Sequence, residues 1–316
     1  METTQPEVIP VTSVTTVMPG PIELIKRAYS DYRSRFHVIS KVLAVSFLAS
    51  VFQSIITFTL QDSLGLYLLA SVLAFIVIYI SYLALVIAVA DEQNQHTDVS
   101  ALYQASWHVF FPYVGVFILT TLTVIAGLTL FVIPGIAVAI FLSFSMYVLV
   151  VEKKHWMSAL TKSWYYVRGN WWKVFGRMIV FAIFMGVLMI ITEIVTSLLG
   201  LNQIGPRMFM DGYTGDPKEV SLFASILSLA IQSFIVTPLG IFFFYLIYKS
   251  LREQKPIELQ EEEEKKIRKN IYIIIGLGIV MSVIIVIALG TLIVTLLPQI
   301  FPTPAAEVIN TTLSLL

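Results

Sequence analysis

The sequence predicts an all-α protein: a polytopic transmembrane helical bundle with a six-span core of three hairpins, interfacial amphipathic helices and a seventh span. Three observations lead there. Mean hydropathy is +0.86, with 57% apolar and 13% charged residues, whereas about a quarter of a soluble domain is charged. The apolar residues gather into runs long enough to cross about 30 Å of hydrocarbon. Lysine and arginine cluster between alternate runs, as in membrane proteins that keep their basic loops on one side.

Residues 1–20 are rich in Pro, Thr and Val and lack the basic start and compact apolar stretch of a signal peptide, so they read as a disordered cytoplasmic leader. A membrane domain is expected over 21–254. It begins with Ile22 to Phe36, where Ile25, Ala28, Tyr29, Tyr32 and Phe36 recur at helical spacing. That pattern suits a helix lying in the headgroup layer. Val42 to Leu60 and Leu64 to Ala90 are the first two spans. Asp98 is placed to cap a short helix striped by Val99, Leu102, Ser106 and Val109, before a third span over Val109 to Val132. Pro134-Gly135 reads as the tight break before a fourth span, Ile136 to Val151.

A second amphipathic helix, His155 to Arg168, carries the stripe Trp156, Leu160, Trp164, Val167 and Trp171. Gly169-Asn170 ends it, and Met178 to Leu199 is the fifth span. Leu201 to Glu219 reads as an exposed loop, and Val220 to Tyr248 as a sixth span kinked at Pro238. Residues 255–270 form a charged cytoplasmic helix with Glu-before-Lys pairs such as Glu261–Lys265 and Glu264–Arg268. Residues 271–297 form the seventh span and 298–316 a short extracytoplasmic tail. Every Lys and Arg except Arg207 and Lys218 then falls on one side. This predicts a multi-pass protein of the cell membrane with a cytoplasmic N-terminus and an extracytoplasmic C-terminus. Three short amphipathic openings, at Ile25, Leu102 and Leu160, each precede a pair of spans. Each has a small residue three positions on (Ala28, Ala105, Ser163), which suggests a threefold internal repeat.

Chemistry is sparse. There is no cysteine, which excludes disulfides, thiolate metal sites and thiol nucleophiles. The four histidines are scattered, so neither a metal nor a cofactor is expected, and a net charge of zero points to no nucleic-acid partner. The candidate lipid-headgroup contacts are Lys153, Lys154, Lys162, Arg168, Lys173 and Arg177, set among Trp156, Trp164 and Trp171. The bland reading of the same residues is positive-inside charge with an aromatic belt. Glu193, Gln53 and Gln232 are the candidate intramembrane polar site. Their bland reading is interhelical hydrogen bonding.

Three pieces carry a family resemblance. They are the Ile133-Pro134-Gly135-Ile136 break with its short span ending at Glu152; Ala159-Leu160-Thr161-Lys162-Ser163-Trp164 leading through Arg168-Gly169-Asn170-Trp171-Trp172; and Pro238 with the exit Tyr248-Lys249-Ser250-Leu251-Arg252. The chain resembles, over roughly Pro21 to Gln254, the membrane domain of glycerophosphoryl diester phosphodiesterases and related uncharacterised bacterial multi-pass proteins. The resemblance implies a membrane architecture. No phosphodiesterase domain with acidic and histidine metal ligands accompanies it, and the charged helix and seventh span depart from the pattern.

The expected function is therefore a non-enzymatic integral membrane protein of the cytoplasmic membrane, associated with lipid or envelope. Its expected partners are membrane lipids and other membrane proteins or further copies of itself. The alternative is a small transporter or channel built on Glu193, Gln53 and Gln232, which requires the three to share one water-accessible cavity. A lipid-acting enzyme would need two carboxylates converging at one interface.

Overall fold

The computed structural model describes residues 18–59, 63–91, 98–154, 156–198, 222–255 and 259–300. Most of the leader, the Leu201–Glu219 loop and the tail beyond residue 300 lie outside the described residues. Among those described, the chain is helical with no strand. Seven helical stretches are long and apolar enough to cross a membrane. The protein is a multi-pass membrane protein with an all-α bundle fold.

Helix α1 (Pro21–Ser34) packs its buried Leu24, Ala28 and Tyr32 inward. The expected stripe is thus rotated, leaving Tyr29 and Phe36 exposed. A one-residue cap at Arg35 separates α1 from α2 (Phe36–Thr59), which forms a hairpin with α3 (Leu64–Ala90). The Arg35 guanidinium donates to the carbonyls of Ala88, Val89 and Asp91. It satisfies carbonyls that the end of α3 leaves open and places a cation at the negative end of that helix.

The expected short helix and third span are one continuous helix, α4 (Val99–Leu130), with Pro112 accommodated inside it. Asp98 caps it as expected, accepting from the Ser100 amide and hydroxyl. Unbroken helical bonding before residue 109 is the reason no boundary appears there. Helix α5 (Val132–Leu142) and helix α6 (Ser145–Glu152) together make the fourth span.

The turn between α4 and α5 is not at Pro134-Gly135. Phe131, in extended conformation, is the single residue between the two helices. Pro134 falls in the first turn of α5, where its missing amide costs no helical bond. Gly135 instead permits close approach. A Cβ there would lie 2.4 Å from a Leu128 methyl carbon, and one on Gly127 would lie 3.1 Å from the Gly135 Cα.

Helix α7 (Trp156–Val167) is followed by Gly169, whose φ of 86° breaks the chain before α8 (Trp171–Leu198). The sixth span consists of α9 (Leu222–Ile231), a π-helical turn at Gln232–Val236 and α10 (Thr237–Glu253). The wide turn sits directly before Pro238, the predicted kink. A π turn leaves carbonyls with poor internal partners. The Tyr32 hydroxyl donates to the Phe234 carbonyl at 2.6 Å, and the Thr237 hydroxyl to the Gln232 carbonyl at 2.9 Å.

The charged segment and seventh span are a single 40-residue helix, α11 (Glu261–Ile300), rather than two elements. The Glu261–Lys265 and Glu264–Arg268 pairs form as the spacing predicts. Helix α11 packs along α4. A Cβ on Gly278 would lie 2.2 Å from the Ala126 Cβ, and the Thr129 hydroxyl donates to the Gly278 carbonyl. Helices α8 and α11 turn most of their apolar surfaces outward.

Candidate functional site

Helix α7 is the centre of the site. It packs against α4, α5, α6, α10 and α11, with its polar side turned inward as well as part of its apolar stripe. Ala159, Leu160, Thr161, Lys162, Ser163, Tyr166 and Val167 are all buried. The physical reason lies in the broken fourth span. Between α5 and α6 the Phe141 carbonyl and the Phe144 amide are left open by the helix break, and the Ser163 hydroxyl partners both. It donates to the Phe141 carbonyl at 2.8 Å and accepts from the Phe144 amide at 3.2 Å. A small hydroxyl at this position of α7 is therefore what docks the helix. Trp164 stacks on Phe141 at 4.2 Å beside it.

Lys162 consequently faces inward, and its expected place among outward headgroup contacts is corrected. Its ammonium lies 2.6 Å from a Glu152 carboxylate oxygen, and both side chains are under 10% exposed. The other Glu152 oxygen accepts from the Tyr166 and Tyr248 hydroxyls, each at 2.8 Å. A buried carboxylate is tolerated only where charge and hydrogen bonds compensate it, and here an ammonium and two phenols do so. Burial, the hydrogen bond to Glu152 and the charge of Glu152 raise the Tyr166 hydroxyl above its ordinary 10.0. The chain reverses immediately after Glu152. Lys153 and Trp156 both have positive φ, 54° and 51°, an uncommon pair of non-glycine residues in the left-handed region.

The charged start of α11 closes over α7. Arg168 pairs with Glu263 at 2.9 Å, and the Asn170 amide approaches the Gln254 side-chain oxygen at 3.4 Å. Lys255 donates to the carbonyls of Tyr165 and Arg168 and lies 4.5 Å from the Tyr165 ring centre. Burial lowers the Lys255 ammonium from its ordinary 10.5, against the opposing pull of Glu263. Between α6, α7, α10 and α11 remains a cavity of about 550 Å³. Glu152, Lys154, Lys162 and Arg252 line it, with the hydroxyls of Ser158 and Thr161 and the side chains of Leu259 and Glu264.

The remaining candidate contacts divide. Lys153, Lys154, Trp156 and Lys173 are exposed, and so is Trp172. Trp171 is half-buried, stacked on Phe175 at 5.0 Å. The Arg177 guanidinium donates to the carbonyls of Met18 and Pro19, tying the chain before α1 onto α8.

The intramembrane candidates lie on three different elements. The Gln53 amide donates to the Ser71 hydroxyl across the α2–α3 hairpin at 3.1 Å, whereas Glu193 and Gln232 lie on exposed faces of α8 and the π turn. Two carboxylates, Glu152 and Glu264, do line one cavity, but each is ion-paired, with Lys162 and with Arg268. Among the described residues no cluster of His, Asp or Glu is arranged to hold a metal ion.

Sequence reasoning missed Glu152, Tyr166, Tyr248 and Arg252 as parts of a site. The available signal was Glu152, the one charge in its span, directly before a positive-φ turn that the sequence does not announce.

The family described as the membrane domain of glycerophosphoryl diester phosphodiesterase matches residues 113–291, more than half of the chain. The match takes in most of α4, all of α7 and the seventh span to Thr291, and leaves the first hairpin outside it. The seventh span is thus within the matched region rather than an addition to it. No curated protein and no solved structure matches the chain.

Proposed function

The chain belongs to the family of the membrane domain of glycerophosphoryl diester phosphodiesterase, and on that basis we propose that it is a non-enzymatic, lipid-binding protein of the cytoplasmic membrane. Its N-terminus is cytoplasmic and its C-terminus extracytoplasmic. The observation that carries this reading is the exposed rim Lys153, Lys154, Trp156, Trp172 and Lys173, where spans meet the α6–α8 connection. Cations beside exposed indoles suit the headgroup layer, with rings at its inner edge and ammonium groups toward lipid phosphate. Supporting the common orientation of the basic segments, Arg35 reaches the end of α3, and Arg168, just after α7, meets Lys255, just after α10, and Glu263 of α11. Supporting the non-catalytic reading, the two carboxylates at the cavity are held in charge balance with Lys162 and Arg268.

The test is native mass spectrometry of the full chain purified in mild detergent. Wild-type protein is expected to retain anionic phospholipid, and a variant carrying Lys153→Glu, Lys154→Glu and Lys173→Glu to lose most of it. Equal retention by the two would overturn the reading. An assay for release of headgroup from phospholipid is expected to show no turnover.

A further inference from the structure

We propose that the cavity between α6, α7, α10 and α11 is a phosphate-ester site, with Arg252 and Lys154 as its anion-binding groups. The inference deepens the lipid-binding reading and rests on it only for the source of the phosphate.

The charge balance of the lining points to an anion. Of the three cations at the cavity, Lys162 is neutralised by Glu152. Of the two carboxylates, Glu264 is engaged by Arg268 at 2.6 Å. That leaves Lys154 and Arg252 without a counter-charge in the cavity. Arg252 is half-buried, and among the described residues its guanidinium makes no hydrogen bond or ion pair. A guanidinium held away from bulk water presents a planar fork of donors that matches two phosphate oxygens. The hydroxyls of Ser158 and Thr161, on successive turns of α7, lie in the same lining. The first donates to Glu264 at 3.5 Å and the second to the Ser158 carbonyl at 3.0 Å, so each turns from that partner to coordinate a phosphate.

Position supports the same class of ligand. Glu152 and Glu253, the neighbour of Arg252, are the last residues of two spans, and Glu261 begins a third. The cavity therefore sits at the charged ends of three helices, where phosphate headgroups are the anions a membrane protein meets. Its volume of about 550 Å³ falls in the range of small-molecule sites, roughly 300–1,000 Å³, and accommodates a glycerophosphate headgroup. The positive-φ turn at Lys153 holds Lys154 at the cavity mouth, so the strained connection has a use beyond reversing the chain.

The experiment titrates full-length protein in detergent with dioctanoyl phosphatidylglycerol in one arm and glycerol 3-phosphate in the other, with bound ligand read by native mass spectrometry. Wild-type protein is expected to bind in at least one arm. Arg252→Gln is expected to weaken that binding about tenfold or more, consistent with loss of a charge-assisted hydrogen bond, while Arg252→Lys keeps part of it. Binding in the lipid arm alone assigns the phosphate to a lipid headgroup, and binding in both assigns it to phosphate esters generally. Thermal melting of each variant separates lost binding from lost folding, and the lysine variant serves if the glutamine variant does not fold. Wild-type affinity in Arg252→Gln, or no binding by wild-type protein in either arm, overturns the proposal. Lys173→Glu separates it from the rim reading. If Lys173→Glu lowers lipid retention and Arg252→Gln does not, the rim stands and the cavity site falls.

Discussion

Glu152 ends a span that is otherwise without charge, and its three partners come from two other helices: Lys162 and Tyr166 from α7, Tyr248 from α10. Removing one member of a buried pair strands the other, which costs about 3–5 kcal/mol. Lys162→Met is therefore expected to lower thermal stability in detergent strongly, and Glu152→Gln combined with Lys162→Met to recover most of the loss. A silent single variant would show that the pair does not hold α7. Ser163→Ala leaves a buried amide and carbonyl unsatisfied at the α5–α6 break and is expected to cost about 1–3 kcal/mol in the same measurement. Tyr166 gives a pH test. Its folded value is raised, so its hydrogen bond to Glu152 is fully present below 10.0 and is lost only as pH climbs through the higher folded value. Comparison of wild type with Tyr166→Phe is expected to show no tyrosinate absorbance from this residue just above pH 10.0. Full ionisation there would mean that the hydroxyl is not held by the carboxylate.

Helices α7 and α11 show how far amphipathic patterning reaches. The Trp156, Leu160, Trp164, Val167 stripe correctly announces a helix over 156–167. It does not announce that the opposite side is buried too, because Thr161, Lys162 and Ser163 become interior only once the break in the fourth span and Glu152 are facing them. For α11, the Gly276-Leu277-Gly278 segment reads as a packing feature of a membrane helix, and one of its two glycines fills that role. Gly278→Leu places a side chain into the Ala126 backbone and is expected to destabilise the α4–α11 contact by about 1–3 kcal/mol. Gly276→Leu meets nothing within 4 Å and is expected to be neutral. Equal melting temperatures for the two would sink the assigned contact. Tyr32→Phe, which removes the donor to the π-turn carbonyl of Phe234, is expected to cost about 1 kcal/mol.

For the molecule as a whole, the absence of cysteine makes orientation directly measurable. Single-cysteine variants at Ser34, Lys154 and Lys265 are expected to react with an impermeant maleimide from the cytoplasmic side only, and one at Gly212 from the opposite side only. Labelling of the first three from different sides would overturn the common placement of the basic segments. The Arg168–Glu263 pair joins the middle and last basic segments, and Arg35 of the first lies at the end of α3. The expected repeat takes a mixed form. Its first and third openings are separate short helices, whereas the second is continuous with its span in α4.

Chain composition and periodicity sufficed for the membrane class, the seven spans, the Asp98 cap, the Gly169 break and the distortion before Pro238. Each depends on residues near one another in sequence or on the bulk cost of placing charge in hydrocarbon. Tertiary packing alone decided the one-residue turn at Phe131, the inward docking of α7, the pairing of Lys162 with Glu152 and the cavity beneath α11. These depend on which helix faces lie opposite one another. A lysine off an apolar stripe looks the same in sequence whether it meets a lipid headgroup or a buried carboxylate.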